Sequence, residues 1–334
     1  MAVLVTGATG FIGGHVARLL AARGASLRVL VRPQSRLDNL ESLKAERVVG
    51  DLRDPRSLET AVRGCDTVFH VAADYRLWSP DPRELYESNV QGTANLLTAA
   101  AQAGMKRVVY TSTVGTMRPP APGHLSDESA PVSLRDMAGD YKRSKFLAEQ
   151  TALQFAARGL PVVIVNPTAP VGEADVKPTP TGKIILDFLL GRMPAYIDTG
   201  VNVVDVRAVA EGHLLAAERG RVGERYILGD RNMTLREILE TLARLTGRPA
   251  PRFRIPYAVA YGFAVFDTFL SRRTGRPPTA PLDAVKMARY KMFVTSAKAE
   301  RELGYRPGSA EEALERAVRW FETQVSGSRF QVAG

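Results

Sequence analysis

Three glycines directly follow the first apolar run of the chain, in the opening stretch AVLVTGATGFIGGHVARLL. Because glycine has no Cβ, Gly7 permits a sharp turn from strand to helix, Gly10 lets a pyrophosphate approach the backbone, and Gly13 lets the helix pack on the strand. Ile12 and Val16 then recur at helical spacing. The helix N-terminus would face the phosphates, so the stretch predicts a dinucleotide site. The alternative is a tight turn without a ligand.

The first half of the chain alternates short β-rich runs with amphipathic helical segments. This alternation is typical of a parallel sheet covered by helices on both faces. The sequence therefore predicts the α/β fold class, with a Rossmann-type doubly wound parallel sheet. The predicted strands are residues 3–6, 27–31, 47–49, 67–71, 107–111 and 162–165.

The pattern loosens after residue 167 into loops rich in proline and glycine, such as NPTAPVGEADVKPTPTG. We expect residues 1–167 to form the dinucleotide-binding domain and residues 168–328 to form mainly a smaller, discontinuous C-terminal substrate-binding lobe. A segment at about 200–218 is expected to return to the first domain. The capping-box sequences TLRE and SAEE predict that the clearest helices of the lobe cover 235–245 and 310–322.

The end of the second predicted strand distinguishes NAD from NADP. NAD enzymes place a carboxylate there for the ribose, whereas this chain has Arg32, with Arg36 close behind. A guanidinium can fork onto a 2′-phosphate, so NADP(H) is the preferred cofactor and NAD(H) the alternative. Arg32 could equally be a solvated residue at a strand end. Asp51 and Leu52, after the third strand, are placed to flank the adenine.

A tyrosine and a lysine lie four residues apart in DYKRSK, and they share one helix face if Asp140 opens a helix. A nearby ammonium on Lys145 would stabilise the phenolate of Tyr141, whose ordinary pKa is about 10. Such a pair could also be a surface helix pair. Ser112 and Thr113 follow a central strand, and either hydroxyl could hold a substrate carbonyl or only bond local backbone.

Five stretches together resemble the extended short-chain dehydrogenase/reductase superfamily: TGATGFIG, HVAADYRLW, NVQGT, VVYTSTVGT and YKRSK. The resemblance covers nearly the whole chain. Within the superfamily, NPTAPVG, VNVVDVRAVAEGHLLA, GERYILG and MARYKMF are most similar to the dihydroflavonol-4-reductase-like branch, and in it to the proteins called hopanoid-associated sugar epimerases. The resemblance implies an NAD(P)-dependent enzyme and a homodimer.

The resemblance also implies roles for individual residues. Tyr141 would be the general acid/base, Lys145 would lower its pKa and bond the nicotinamide ribose, and Thr113 occupies the usual position of a catalytic serine, with Ser112 as the alternative. No metal site is predicted. The predicted cofactor-binding residues are Gly7, Thr9, Gly10, Phe11, Ile12, Gly13, Arg32, Arg36, Asp51, Leu52, Val71, Ala72, Ala73, Asn89, Tyr141, Lys145 and Pro167.

Three functions are compatible with these residues. The first is an NADP(H)-dependent reductase of a ketone or aldehyde, which the arginine at the 2′-phosphate position favours. The second is an epimerase or dehydratase of a nucleotide sugar that retains NAD⁺. The third is a non-catalytic NAD(P)-sensing protein, against which the hydroxyl, tyrosine and lysine set argues.

Residues 255–270, IPYAVAYGFAVFDTFL, predict an apolar helix with a single acid, Asp267. One interpretation is a buried helix of the small lobe. The other is an apolar lid over a lipid-like or polycyclic substrate that also touches a membrane surface, with Arg272 and Arg273 on its polar side. The second interpretation makes the substrate of the predicted enzyme apolar or polycyclic.

The composition limits the class of ligand and the cellular compartment that we expect for this protein. The chain has 334 residues and a formal net charge of +10, but its 45 basic residues are interleaved with 35 acidic ones, so no nucleic-acid-binding surface is predicted. The single cysteine, Cys65, excludes an intramolecular disulfide and favours a reducing compartment. A strand directly after Met1 leaves no room for a signal peptide, and no run reaches the roughly 18 apolar residues of a spanning helix. We expect a soluble cytoplasmic protein that acts on a small molecule.

Overall fold

The computed structural model describes residues 2–327. Its strands are β1 (Ala2–Thr6), β2 (Ser26–Val31), β3 (Glu46–Val49), β4 (Cys65–His70), β5 (Arg107–Thr111), β6 (Val162–Pro167), β7 (Ala169–Val171), β8 (Ala195–Ile197), β9 (Gly200–Asp205), β10 (Arg225–Leu228), β11 (Arg231–Thr234), β12 (Phe253–Ile255) and β13 (Lys291–Met292). Its α-helices are α1 (Phe11–Ala22), α2 (Pro55–Val62), α3 (Arg83–Tyr86), α4 (Gly92–Gln102), α5 (Gly139–Ala157), α6 (Pro180–Leu189), α7 (Val206–Arg219), α8 (Leu235–Thr246), α9 (Tyr257–Thr274), α10 (Leu282–Met287), α11 (Ala297–Leu303) and α12 (Ala310–Ser326).

The large sheet has seven strands in the order β10-β6-β5-β4-β1-β2-β3, and all of its pairings are parallel. The order reverses between β1 and β4, which creates the crevice where open α/β sheets bind their ligands. The predicted α/β class and doubly wound sheet are confirmed. The six predicted strands correspond to β1 to β6, although β4 ends at His70, one residue early, and β6 continues to Pro167.

Apolar clusters cover both faces of the large sheet. On one face α1, α7 and α11 contribute buried side chains such as Val16, Val209 and Leu303. On the other face α2, α4 and α5 contribute side chains such as Leu58 and Leu96. Each fully buried side chain of this size stabilises the fold by roughly 1.5–3 kcal/mol, so the strand ends form a rigid platform for a site.

A second sheet, in which β7, β11 and β13 pair with β9, forms the small lobe with α6, α8 and α12. The capping box predicted at Thr234 is present, because its hydroxyl accepts from Glu237 N while the Glu237 carboxylate accepts from Thr234 N. At Ser309 only the serine half of the predicted box forms. Within the segment at about 200–218, β9 belongs to the small sheet, whereas α7 packs on the large sheet. The chain then continues into β10, which is the edge strand of the large sheet.

The helix predicted within residues 255–270 is α9, and its orientation is unusual. Small residues face inward, where Ala260 and Ala264 pack with Val285 of α10. Large residues face outward, and Phe266 is 65% exposed and Phe269 is 55% exposed. The interpretation of this segment as a buried helix is therefore wrong, because the inner face of α9 is lined by small residues that leave the large ones outside.

Candidate active site

The glycine turn between β1 and α1 is tightly packed. Gly7 has φ +73°, and a Cβ on it would lie 2.6 Å from the backbone nitrogen of Ala72. A Cβ on Gly13 would lie 2.2 Å from the carbonyl oxygen of Gly7, while Gly10 N donates to that same oxygen at 2.9 Å. Within residues 2–327 no side chain caps the N-terminus of α1. Its first N–H groups are therefore open to an anion, as the sequence predicts.

Asn39 holds the glycine turn from outside, and no motif in the sequence pointed to it. Its side-chain nitrogen lies 3.3 Å from the carbonyl oxygen of Thr9 and 3.2 Å from that of Gly10. Arg18 donates to its side-chain oxygen at 2.7 Å. Asn39 also reaches the carbonyl oxygen of Ala174, at 3.3 Å, so it joins the turn to the loop after β7.

The side chains that should read the adenosine end lie after β2 and β3. Arg32 is exposed at the end of β2, close enough for its charge to help lower the pKa of Asp51. The largest cause of that lower pKa is a hydrogen bond from Arg53. Arg36 instead forms an ion pair with Asp38 at 2.9 Å. Arg32 is therefore exposed near Asp51, whereas Arg36 is held by a carboxylate.

A chain of buried hydrogen bonds fixes the end of β4. The hydroxyl of Thr6 lies 2.9 Å from Nδ1 of His70, whose Nε2 lies 3.1 Å from the hydroxyl of Thr93. Thr6 also accepts from Ala72 N at 3.2 Å, where the predicted residues 71–73 leave the strand. Burial lowers the pKa of His70 to about 3, with a further contribution from the charge of Lys145, so the imidazole is neutral. These partners were not identified in the sequence.

Tyr141 and Lys145 occupy adjacent turns of α5, which begins at Gly139, one residue before the predicted Asp140. Burial raises the pKa of Tyr141 to about 12, a hydrogen bond with Thr113 acts against this rise, and the charge of Asp74 adds to it. Lys145 is buried, and its Nζ donates to the hydroxyl of Tyr110 at 3.1 Å and to the carbonyl oxygen of Thr111 at 2.9 Å. From the resemblance we expect Lys145 to lower the pKa of Tyr141. In this structure Lys145 instead bonds Tyr110 and Thr111, and it is not among the causes that shift the pKa of Tyr141.

Burial also lowers the pKa of Lys145, to about 8, while the charge of Glu149 acts in the opposite direction. Glu149 lies one turn further along α5 and is completely buried. Its Oε2 accepts from Thr116 at 3.0 Å and from Asn166 at 2.8 Å, and its Oε1 lies 3.4 Å from Arg225. Lys145 and Glu149 lie four residues apart, which is one turn of helix, so their spacing in the sequence is a signal that could have identified Glu149.

The two candidate hydroxyls after β5 have different surroundings. Thr113 Oγ1 accepts from Gly115 N at 3.1 Å and hydrogen-bonds Tyr141. Ser112 is 5% exposed, and among the described residues its hydroxyl has no hydrogen-bond partner. Buried hydroxyls are nearly always paired, so an unpaired one at the carboxyl edge of the sheet fits a site that a ligand completes. Pro167, at the same edge, is buried at the end of β6.

Asn89 connects the loop after β4 with α5. It lies in a π-helical turn, Glu87–Gln91, and its side chain exchanges two hydrogen bonds with the backbone of Asp74, at 2.8 and 2.9 Å. It also donates to the hydroxyl of Ser144 at 3.0 Å. Asn89 thereby braces the segment that carries Asp74 against α5.

An open parallel sheet with a glycine turn at its crevice, and a tyrosine and a lysine on a helix at the same edge, defines the class of enzymes that use a nicotinamide dinucleotide. The chain belongs to the NAD dependent epimerase/dehydratase family, whose profile matches residues 3–229. The resemblance to the extended short-chain dehydrogenase/reductase superfamily is therefore confirmed. The protein is an NAD(P)-dependent oxidoreductase or epimerase of that superfamily, as expected from the sequence.

Individual relatives support the dihydroflavonol-4-reductase-like branch. A Synechocystis sp. protein provisionally named dihydroflavonol 4-reductase is 47% identical over 322 residues, which cover 95% of this chain and 94% of that protein. Sterol demethylase protein B of Methylococcus capsulatus is 39% identical over 96% of this chain and 98% of its own length. A crystal structure of a nucleoside-diphosphate-sugar epimerase from Pseudomonas aeruginosa superposes with a TM-score of 0.82 at 31% identity, covering 99% of each chain.

Proposed function

We propose that this protein is an NADP(H)-dependent reductase that converts a ketone or aldehyde of an apolar or polycyclic substrate to the alcohol. The observation that carries the proposal is Tyr141, a half-buried phenol next to Thr113 whose pKa burial raises to about 12. A phenol with this pKa keeps its proton at neutral pH, which is the state that a general acid for carbonyl reduction requires.

The residues present fit a bound dinucleotide. The turn at Gly7, Gly10 and Gly13 leaves no room for a Cβ at two of its positions and leaves the N–H groups of α1 open, so it would hold the pyrophosphate. Arg32 would fork onto the 2′-phosphate, while Asp51 would flank the adenine. The unpaired hydroxyl of Ser112 would gain a partner when the crevice is filled. When bound, NADPH supplies a hydride for the carbonyl carbon.

The remaining chemistry belongs to the side chains of the chain. Thr113 and Tyr141 would both bond the substrate carbonyl oxygen, which orients the carbonyl and polarises it. Tyr141 would then donate its hydroxyl proton to that oxygen as negative charge develops on it. The Lys145 ammonium would stabilise the phenolate left behind. Lys145 bonds Tyr110 and Thr111 in this structure, so we propose that it turns toward the ribose and the phenol when the crevice is filled.

The substrate class rests on two further observations. The outer face of α9 is apolar, and α9 packs on α10, whose Asp283 accepts from the backbone N–H of Asp140 at 3.2 Å, next to Tyr141 in sequence. The relative in Methylococcus capsulatus carries the name sterol demethylase protein B, which points to a polycyclic apolar substrate for that protein. A homodimer stays a prediction from the resemblance.

A second candidate is an epimerase or dehydratase of a nucleotide sugar that keeps NAD⁺ bound. It is favoured by the family description and by the likeness to a nucleoside-diphosphate-sugar epimerase. Such an enzyme returns the hydride to its own product, so it shows no net use of cofactor.

The experiment that separates the candidates begins with the purified protein. We would denature it, identify any released dinucleotide, and titrate the native protein with NADPH and NADH. The reductase predicts an empty site that binds NADPH more tightly and NADPH consumption with polycyclic or isoprenoid ketones. Stoichiometric NAD⁺ that stays bound through purification, with no net oxidation of NADPH by any carbonyl compound, would overturn the reductase in favour of the epimerase.

A further inference from the structure

The outward surface of α9 is apolar around most of its circumference. The exposed apolar positions lie one to three residues apart along α9, so they spread over the side of the helix that does not contact α10. Large side chains that face solvent together in this way mark a surface that has a partner. The residues of this surface, called here the apolar face of α9, are Val259, Tyr261, Phe263, Val265, Phe266, Phe269 and Leu270.

The charge around the apolar face of α9 is strongly positive. Residues 248–281 contain six arginines and one acid. That acid, Asp267, accepts from Ala280 N at 2.8 Å and faces the neighbouring loop. Arg272, Arg273 and Arg276 are exposed, and in the part of the chain that the structure describes they form no ion pair with a carboxylate. The rim of the apolar face is therefore a set of unneutralised guanidinium groups.

Apolar side chains with a basic rim match the interface of a bilayer that carries anionic lipids, where rings enter the acyl boundary and guanidiniums contact phosphates. No helix of residues 2–327 is long and apolar enough to cross a membrane, so α9 would lie in the plane of the surface. A second copy of the chain fits less well, because it would bring two sets of the exposed residues Arg272, Arg273 and Arg276 together.

We propose that the apolar face of α9 docks this protein on the surface of bilayers that contain anionic lipids. The docking does not depend on the proposed reductase activity. The route of the substrate to Tyr141, in contrast, rests on the proposed function. Since α10 contacts both α9 and the first turn of α5, a docked protein would hold the residues around Tyr141 near the lipid headgroups. A substrate dissolved in the bilayer would then reach the site without crossing bulk water.

The test is flotation of the full-length protein with phosphatidylcholine vesicles, with and without phosphatidylglycerol. We expect recovery with the anionic vesicles and little with the neutral ones. The double variant Phe266→Glu/Phe269→Glu should lower the bound fraction by about tenfold or more, because it places charges in the acyl boundary. The variant Arg272→Gln/Arg273→Gln should weaken binding to anionic vesicles only, and added salt should mimic it. The matched control is Val222→Glu, at a residue that is 48% exposed in the turn between α7 and β10.

A second measurement reports insertion directly. Phe266→Trp should give an emission that shifts to the blue on anionic vesicles and is quenched by brominated acyl chains, against a wild-type background from Trp78 and Trp320. NADPH affinity serves as the check that each variant is folded. Wild-type protein that does not float with anionic vesicles, or an unchanged bound fraction in the double variant, would overturn the proposal. Dimerisation in solution that Phe266→Glu/Phe269→Glu abolishes, without vesicle binding, would assign the face to a second copy.

Discussion

The glycine turn and α9 are two surfaces of opposite construction. At the glycine turn the backbone itself is the binding surface, and Gly7 and Gly13 have no space for a Cβ. At α9 the small side chains of Ala260 and Ala264 pack against α10 and large side chains form the surface, with an open position at Gly262 where no atom would lie near an added Cβ. The first region is thus specified by contacts within the chain, whereas the large side chains of the second have no such contacts and would be covered by the membrane surface proposed above.

The largest expected effect tests the interior region. Tyr141→Phe removes the proposed acid, so kcat for carbonyl reduction should fall by about 10³-fold. The NADPH dissociation constant, measured by fluorescence titration, should stay within about twofold of wild type, because the glycine turn is untouched. Retention of more than about a tenth of the activity would place the proton donor elsewhere.

The next effect separates two adjacent hydroxyls. Thr113→Ala removes a hydroxyl that hydrogen-bonds Tyr141, and kcat/KM should fall by about 10²-fold. Ser112→Ala should cost less than about tenfold and should not lower the melting temperature, because the lost hydroxyl has no partner among the described residues. The pair is compared by steady-state kinetics and thermal unfolding. The reverse order of kinetic losses would make Ser112 the carbonyl ligand.

A matched pair of glycine substitutions tests the comparison between the two regions. Gly13→Ala puts a Cβ 2.2 Å from the Gly7 oxygen, so the turn must shift, and NADPH affinity should fall by about 30-fold. Gly262→Ala should leave NADPH affinity unchanged and stabilise α9 by about 0.5–1 kcal/mol, since an added methyl meets open space there. Titration and chemical denaturation measure the two effects. Equal losses of NADPH affinity would show that the regions are not independent.

A smaller effect is expected at the adenosine end. Arg32→Asp should weaken NADPH binding by about tenfold or more and NADH binding by less than about threefold, because a carboxylate repels the 2′-phosphate. Arg36→Asp is the control, and it should change the ratio less, since Arg36 already pairs with Asp38. Both ratios come from equilibrium titrations. An equal loss of both cofactors in Arg32→Asp would remove Arg32 from the 2′-phosphate site.

The smallest effect concerns pH. Glu149→Gln removes a charge that raises the pKa of Lys145, so that pKa should fall further below its usual range. If the ammonium is needed, the decline of kcat at alkaline pH should move to lower pH. The variant should also lose about 2 kcal/mol of stability, because Arg225 loses its carboxylate partner. An unmoved pH profile with the same loss of stability would make Glu149 purely structural.

The sheet could be predicted because its constraints are local in sequence. Strand runs such as 162–165, VVIV, are apolar and β-branched, and the glycine turn has few alternative conformations. The orientation of α9 could not be predicted in this way. An apolar helix is expected to bury its large side chains, and only the packing of Ala260 and Ala264 against α10 shows that the side with small residues is the covered one.

Part of the candidate active site could be predicted from the sequence for the same reason. A short motif on α5 contains Tyr141 and Lys145, and Thr113 comes two residues after the end of β5. The two elements bring these residues to the same edge of the sheet. Asn39 and His70 act through partners between 21 and 135 residues away in sequence, and no spacing rule reports contacts of that range. The pKa of Tyr141 depends on burial and on Asp74, which only the folded chain determines.

The contact between α10 and α5 sets a limit on what the enzyme can accept. Gly139 has φ +81°, and its ideal Cβ would fall 2.1 Å from the Asp283 carboxylate, which also takes the N–H of Asp140. A negative charge there favours the start of a helix. A substrate large enough to displace α10 would break the contact between the Asp283 carboxylate and the first turn of α5, which carries Tyr141. Molecules too large for the site would thus displace the proposed acid, Tyr141, even if the surrounding residues could move to admit them.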